Sequence, residues 1–207
     1  MTNPEADSGW IGQWSPGIGD PTVAGWVTVV LYVAAAWTCW VVARELRPEV
    51  KAGRVARREL WAWSLFSVLL WLLAVNKQID FQTALTEIGR MLAREQGWYE
   101  DRFRVQKSFI AALCGFGLLC VATLWIVLRG LGAAVKIAAL GICFIGVFVL
   151  ARASSFHHVD QFLGSRLVNL RMNWILEMGG ILVMLGAARF RRKGRNGVKG
   201  QGRGRSR

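Results

Sequence analysis

Five apolar runs divide this chain, at about residues 23–42, 60–78, 109–128, 131–150 and 174–188. A helix needs roughly 20 predominantly apolar residues to cross the hydrocarbon layer of a bilayer. A soluble domain of 207 residues would carry its apolar residues in shorter, periodic runs. The expectation is an all-α integral membrane protein with about five transmembrane helices. The second run is apolar only from Leu60 to Val75 and reaches span length by continuing helically into Asn76-Lys77-Gln78. The spans make up a single membrane domain over residues 21–188, with no room for a second globular domain. Residues 1–20 are polar and hold acids but no base, unlike a secretory signal, which starts positively charged. Residues 189–207 hold glycine and basic residues with no acid, a composition that reads as a disordered tail.

The net charge of +13 could mark a nucleic-acid binder, but its distribution argues for topology instead. Lysine and arginine gather on the cytoplasmic side of membrane proteins. One side of the spans receives the bases of the first connector (Arg44, Arg47, Lys51, Arg54, Arg57, Arg58), then Arg129 and Lys136, then the whole basic tail. The other side holds the remaining bases, outnumbered by acids, whereas the first side has only Glu45, Glu49 and Glu59. The N-terminus is therefore expected outside and the C-terminus in the cytoplasm. The tail lacks the interleaved aromatics of Arg-Gly segments that bind RNA. It reads as an orientation signal that attracts anionic lipid at about 1 kcal/mol per basic residue.

Between the second and third runs lies a segment of another kind. From Asp80 to Gln96, the apolar residues Phe81, Leu85, Ile88 and Leu92 recur at helical spacing among Gln82, Glu87, Arg90 and Arg94. That is an amphipathic interfacial helix on the outer side, suited to the membrane surface or to the flank of the bundle. Asp80 should cap its start and Gly97 end it. Trp98 and Tyr99 follow where an aromatic belt would lie. With Phe81, Leu85, Ile88 and Leu92 they form the expected partner surface. Gly115, Gly117, Gly141, Gly146, Gly179 and Gly180 offer places where helices can approach closely.

Polar side chains near the membrane boundary are costly and usually have partners. Three outer segments supply them: Asn76, Lys77 and Asp80; His157, His158 and Asp160; and Asn173 and Glu177. On a helix His157 and Asp160 share a face, as do Asn173 and Glu177. One reading is a metal site with His157, Asp160 and Glu177 as ligands, whose donor chemistry does not select the metal. The other is structural, with Glu177 paired to Arg152, Arg171 or Lys77. Haem is disfavoured because the two histidines are adjacent rather than on two helices. The four cysteines lie inside the apolar runs with no Cys-x-x-Cys pair, so they read as packing residues.

The segments Asn76-Lys77-Gln78-Ile79-Asp80-Phe81-Gln82, Gly97-Trp98-Tyr99 with Arg102 and Gln106, Ser155-Phe156-His157-His158-Val159-Asp160, and Asn173-Trp174 with Glu177 bear a resemblance. Together they resemble a group of small uncharacterised multi-pass membrane proteins of proteobacteria, over roughly residues 61–188. The resemblance implies a bacterial inner-membrane location and supplies no activity. The leading reading of function is a non-enzymatic subunit or accessory protein that binds other membrane-protein subunits through its outer face. The alternatives are a metal-dependent or redox membrane enzyme using the histidine cluster, and a small-molecule sensor or carrier.

Overall fold

The computed structural model describes residues 9–11, 14–15, 17–97, 102–153, 166–167 and 170–204. Helix dominates them. α1 (Val23–Leu46) begins at Thr22, whose Oγ1 accepts the Gly25 N–H at 3.1 Å and so satisfies one free amide of the first turn. At its far end the Arg44 guanidinium lies 5.5 Å from the centre of the Trp40 ring. A 3-10 segment, Arg47–Ala52, carries Pro48 in its first turn and leads through Gly53 into α2 (Arg54–Ile79). The helical stretches Val23–Val50 and Arg54–Ile79 are long and apolar enough to cross a membrane. Shorter apolar stretches occupy Cys114–Val127 in α4 (Arg102–Val127) and Ala133–Val149 in α5 (Ala133–Ala153). A two-residue antiparallel pair, β1 (Arg166–Leu167) and β2 (Leu170–Arg171), precedes α6 (Met172–Gly204).

α1 packs along α2 and α6, and α5 packs along α6. The shared core contains Tyr32 and Cys39 of α1, Trp63, Phe66 and Leu70 of α2, Val135 and Ile145 of α5, and Ile181 and Met184 of α6. Trp63 meets Phe66 edge-on at 5.9 Å, and the Ser67 hydroxyl donates to the Ala36 carbonyl at 2.9 Å, tying α2 to α1. Two glycines set the α5–α6 crossing. A Cβ on Gly180 would lie 2.7 Å from Ile145 Cγ1, and one on Gly141 would lie 3.0 Å from the Gly180 carbonyl oxygen. Such close backbone approach is the usual role of small residues between membrane helices. Gly115, Gly146 and Gly179, expected to share that role, have open space where a Cβ would stand.

α4 stands apart from the core helices. It turns into α5 through Gly130 (φ 80°), with Leu128 and Leu131 buried at the turn, while Phe116, Leu118, Leu119 and Trp125 are exposed. The Arg58 guanidinium holds this turn to α2, donating to the carbonyls of Val127 and, at 3.0 Å, of Arg129.

α3 (Phe81–Glu95) follows α2 directly. Asp80 joins them in the left-handed region (φ 52°, ψ 49°), and its carboxylate accepts the Thr83 hydroxyl at 2.7 Å instead of a backbone amide. Asp80 is thus the hinge of a helix–helix corner as well as the expected start of α3. Gly97 (φ 72°) ends the helix region as expected. Against the bundle α3 places Ala84 and Glu87, which are buried, and it leaves Phe81, Ile88, Met91 and Leu92 exposed. With a turn every 3.6 residues, the apolar stripe points roughly a quarter-turn away from the packed side. Of the two settings open to this helix, the stripe is therefore not on the bundle. The side chain of Leu85, together with Trp98 and Tyr99, lies outside the described residues.

The tail differs from its expectation. α6 continues without a break through residues 189–204, which the composition assigned to disorder. The physical reason lies in the three acids of the first connector. Arg191 pairs with Glu59 (2.5 Å), Arg192 with Glu45 (3.2 Å), and Arg195 with Glu45 (2.7 Å) and Glu49 (3.6 Å). Arg195 also donates to the Glu45 carbonyl at 2.7 Å, and Glu59 accepts the Trp63 indole N–H at 3.4 Å. A reading of composition alone treats the tail as free, because its counter-charges are some 140 residues earlier in sequence; the Arg191–Glu59 bond spans 132 positions.

Candidate functional site

At the opposite end of the bundle, four segments meet around Lys77. It stands in the last turn of α2, where its ammonium lies 2.9 Å from Glu177 Oε2 and 3.6 Å from Asp20 Oδ2. The side chains of Lys77 and Glu177 are 10% and 4% exposed, so this is a buried pair. Glu177 Oε1 accepts the Tyr32 hydroxyl at 3.2 Å, so both of its oxygens are engaged. Asp20 is fixed in turn by Thr22, whose backbone N–H (3.3 Å) and hydroxyl (2.6 Å) both donate to Oδ1. Partial burial works to raise the Asp20 pKa, but the Thr22 hydrogen bonds and the Lys77 charge outweigh it and hold the carboxyl below its ordinary 3.8. Since that pKa is depressed, the Asp20 contribution is complete above pH 3.8 and is lost only as pH falls through the folded value.

Gly19 donates its N–H to the Gln78 carbonyl at 2.6 Å and sits hard against the hinge, where a Cβ would come within 2.8 Å of Asp80 Cβ. The site surrounds a small polar cavity of about 30 Å³ lined by Asp20, Tyr32, Asn76, Lys77, Asp80 and Glu177, with apolar walls from Leu73, Phe148 and Val149. That volume holds about two waters or a compact ion, since one water needs some 10–15 Å³. It is too small for an organic ligand, whose pockets run to hundreds of cubic ångströms.

Of the residues singled out in the sequence, Asn76, Lys77, Asp80 and Glu177 come together here. His157, His158 and Asp160 lie outside the described residues, as does the side chain of Asn173. Glu177, the third residue of the proposed metal set, bonds Lys77 and Tyr32; no group of three metal-ligating side chains occurs among the described residues, which do not include His157 and Asp160. Its basic partner is Lys77; the side chains of Arg152 and Arg171 lie outside the described residues. Sequence reasoning missed Gly19, Asp20 and Tyr32. Tyr32 could have been found, because a phenol inside an apolar run needs a hydrogen-bond partner. Asp20, the last acid before the first run, is the natural neighbour for a base at the same boundary.

Family models, curated proteins and solved structures give no match to this chain.

Proposed function

We propose that the chain is a five-span protein of a bacterial inner membrane, N-terminus outside and C-terminus in the cytoplasm. On this reading it is a non-enzymatic subunit or accessory protein that docks through its outer face. Two charged layers cap the bundle, Lys77 with Glu177 at one end and Glu59 with Arg191 at the other. At 1.5 Å per helical residue they lie about 27 Å apart along α2 and about 21 Å apart along α6, the first close to and the second short of the roughly 30 Å of a hydrocarbon core. Of the charges that the asymmetry assigns to the inside, Glu45, Glu49 and Glu59 meet Arg191, Arg192 and Arg195 at one end of the bundle. Fusions test the topology. A reporter active only in the cytoplasm should work after Arg207, and one active only in the periplasm should work after Gly97. Silence of either reporter in an expressed fusion would end the five-span reading.

The observation that carries the docking role is the exposed stripe of α3, Phe81, Ile88 and Leu92. It adjoins the hinge at the end of α2 and is turned away from the chain's own core. The occupant we assign to it is a helix of a neighbouring membrane subunit lying at the outer boundary. Ile88→Asp places a charge on that stripe without burying it in the bundle, so the purified protein should stay folded. Co-purification of its native-membrane partner should fall about tenfold or more, as for a lost apolar hot spot worth some 2 kcal/mol. Undiminished co-purification would remove α3 from the interface.

A further inference from the structure

We infer that residues 17–22 form a lid over part of the mouth of the Lys77–Glu177 cavity, fastened from the N-terminal side by two close contacts. The first is the Gly19 N–H bond to the Gln78 carbonyl at 2.6 Å. The second is the Asp20 carboxylate, 3.6 Å from the Lys77 ammonium. Gly19 and Asp20 both line the cavity, so the segment that is fastened is also part of the wall.

The closed position has a steric template in the sequence. Asp20 folds back over the first turn of α1, where a Cβ on Gly25 would stand 2.5 Å from both Asp20 Cγ and the Asp20 carbonyl oxygen. Gly19 is equally constrained, its missing Cβ leaving room for Asp80 and for the Gln78 carbonyl oxygen 3.0 Å away. Thr22 completes the arrangement. Its Oγ1 accepts the Gly25 amide while its hydroxyl donates to Asp20 Oδ1, which leaves Oδ2 directed to Lys77. One cap residue therefore starts α1 and aims the latch.

The charged fastening is the weaker of the two. Asp20 keeps 25% of its side chain exposed, and a partly solvated pair of this kind contributes little. Beneath the lid, by contrast, the Glu177 carboxylate has both oxygens engaged and stays with Lys77 when the lid lifts. Lifting the lid thus leaves the buried pair intact and widens the access of water and small ions to the cavity. The lid controls access to the charge pair without being needed to hold it together. The lid belongs to one chain and acts independently of what docks on α3.

Thiol labelling of the full chain in detergent micelles tests it. Asn76→Cys puts a reporter on the cavity wall, and the native chain, whose cysteines lie within the helices, serves as the blank. A polar maleimide should react slowly with Asn76→Cys alone. Adding Asp20→Ala, which removes the latch, should speed labelling about fivefold or more, the size of effect that follows from losing one weak contact. Adding Gly25→Ala instead, which displaces Asp20 sterically while keeping its charge, should give the same gain. Asp20→Asn, which keeps the shape and the Thr22 bonds, is the mild variant that stays folded if the others do not, and should give a smaller but measurable gain. Equal labelling rates in Asn76→Cys and its Asp20→Asn derivative, with the buried Cys39 unreactive in both, would overturn the lid. So would rapid labelling of Asn76→Cys with the lid residues unchanged.

Discussion

Lys77→Met should lower the thermal stability of the purified protein more than any other single change at the polar site. The substitution keeps an unbranched side chain of similar length and removes the ammonium. Glu177, with a side chain only 4% exposed, is then left as a buried carboxylate with the Tyr32 hydroxyl as its one remaining partner. Removing one member of a buried ion pair costs about 3–5 kcal/mol, because the survivor is neither hydrated nor compensated. For a chain of this size that corresponds to a fall in Tm of about 10 °C. The mirror change, Glu177→Gln, should cost less. Lys77 keeps Asp20 and a route to solvent, and the amide still offers an oxygen to Tyr32. The double variant Lys77→Met with Glu177→Gln should recover much of the loss, since no charge is then stranded. Unfolding followed by tryptophan fluorescence in one detergent reads all three. A double variant as unstable as Lys77→Met alone would mean that the cost lies in packing and not in the stranded charge.

The second large effect is expected where two helices touch backbone to backbone. Gly180→Val has no space for its Cβ, which would lie 2.7 Å from Ile145 Cγ1 and 3.2 Å from the Gly141 carbonyl oxygen. Ile145 is itself fully buried, so α5 and α6 must separate. Overpacking of this kind costs about 1–3 kcal/mol, with more when backbone has to move. The neighbouring Gly179 faces open space, and Gly179→Ala should be neutral or stabilising by up to about 1 kcal/mol through helix propensity. Opposite shifts in Tm from adjacent glycines would locate the crossing. Equal tolerance of Gly180→Val and Gly179→Ala would show that α5 and α6 do not meet at this glycine.

Those two sites also show what the sequence could and could not reveal. The helices were legible because hydrophobic runs and their flanking charges are local properties. Asp80 and Gly97, read as the start and end of the amphipathic helix, do stand at its two ends, both with positive φ. Gly141 and Gly180 were visible as small residues, but nothing local separates them from Gly146 and Gly179, which touch no neighbour at Cβ. Glu177 stood out because a carboxylate in an apolar run must have a partner. Which base it takes depends on how α2 and α6 lie against each other, and its bond to Lys77 spans 100 positions. The helical tail was hidden for the same reason. Its arginines look solvated until Glu45, Glu49 and Glu59 are brought beside them. The direction of the α3 stripe was equally out of reach, since periodicity defines a face and only packing says where it points.

The separation of Lys77 from Glu177 along the chain has a consequence for biogenesis. If the spans enter the membrane in the order of synthesis, α2 arrives with Lys77 near one boundary, where only the part-exposed Asp20 and water are at hand to meet its charge. The counter-ion follows 100 residues later, about 5–20 s at usual elongation rates. Alone, the first turns of α6 would carry an acidic group whose insertion costs up to about 3 kcal/mol. Beside α2 that penalty becomes an attraction, so earlier spans act as the template that admits the last one. A nascent chain arrested before α6 would hold Lys77 against Asp20 alone, without the buried partner it has in the completed chain.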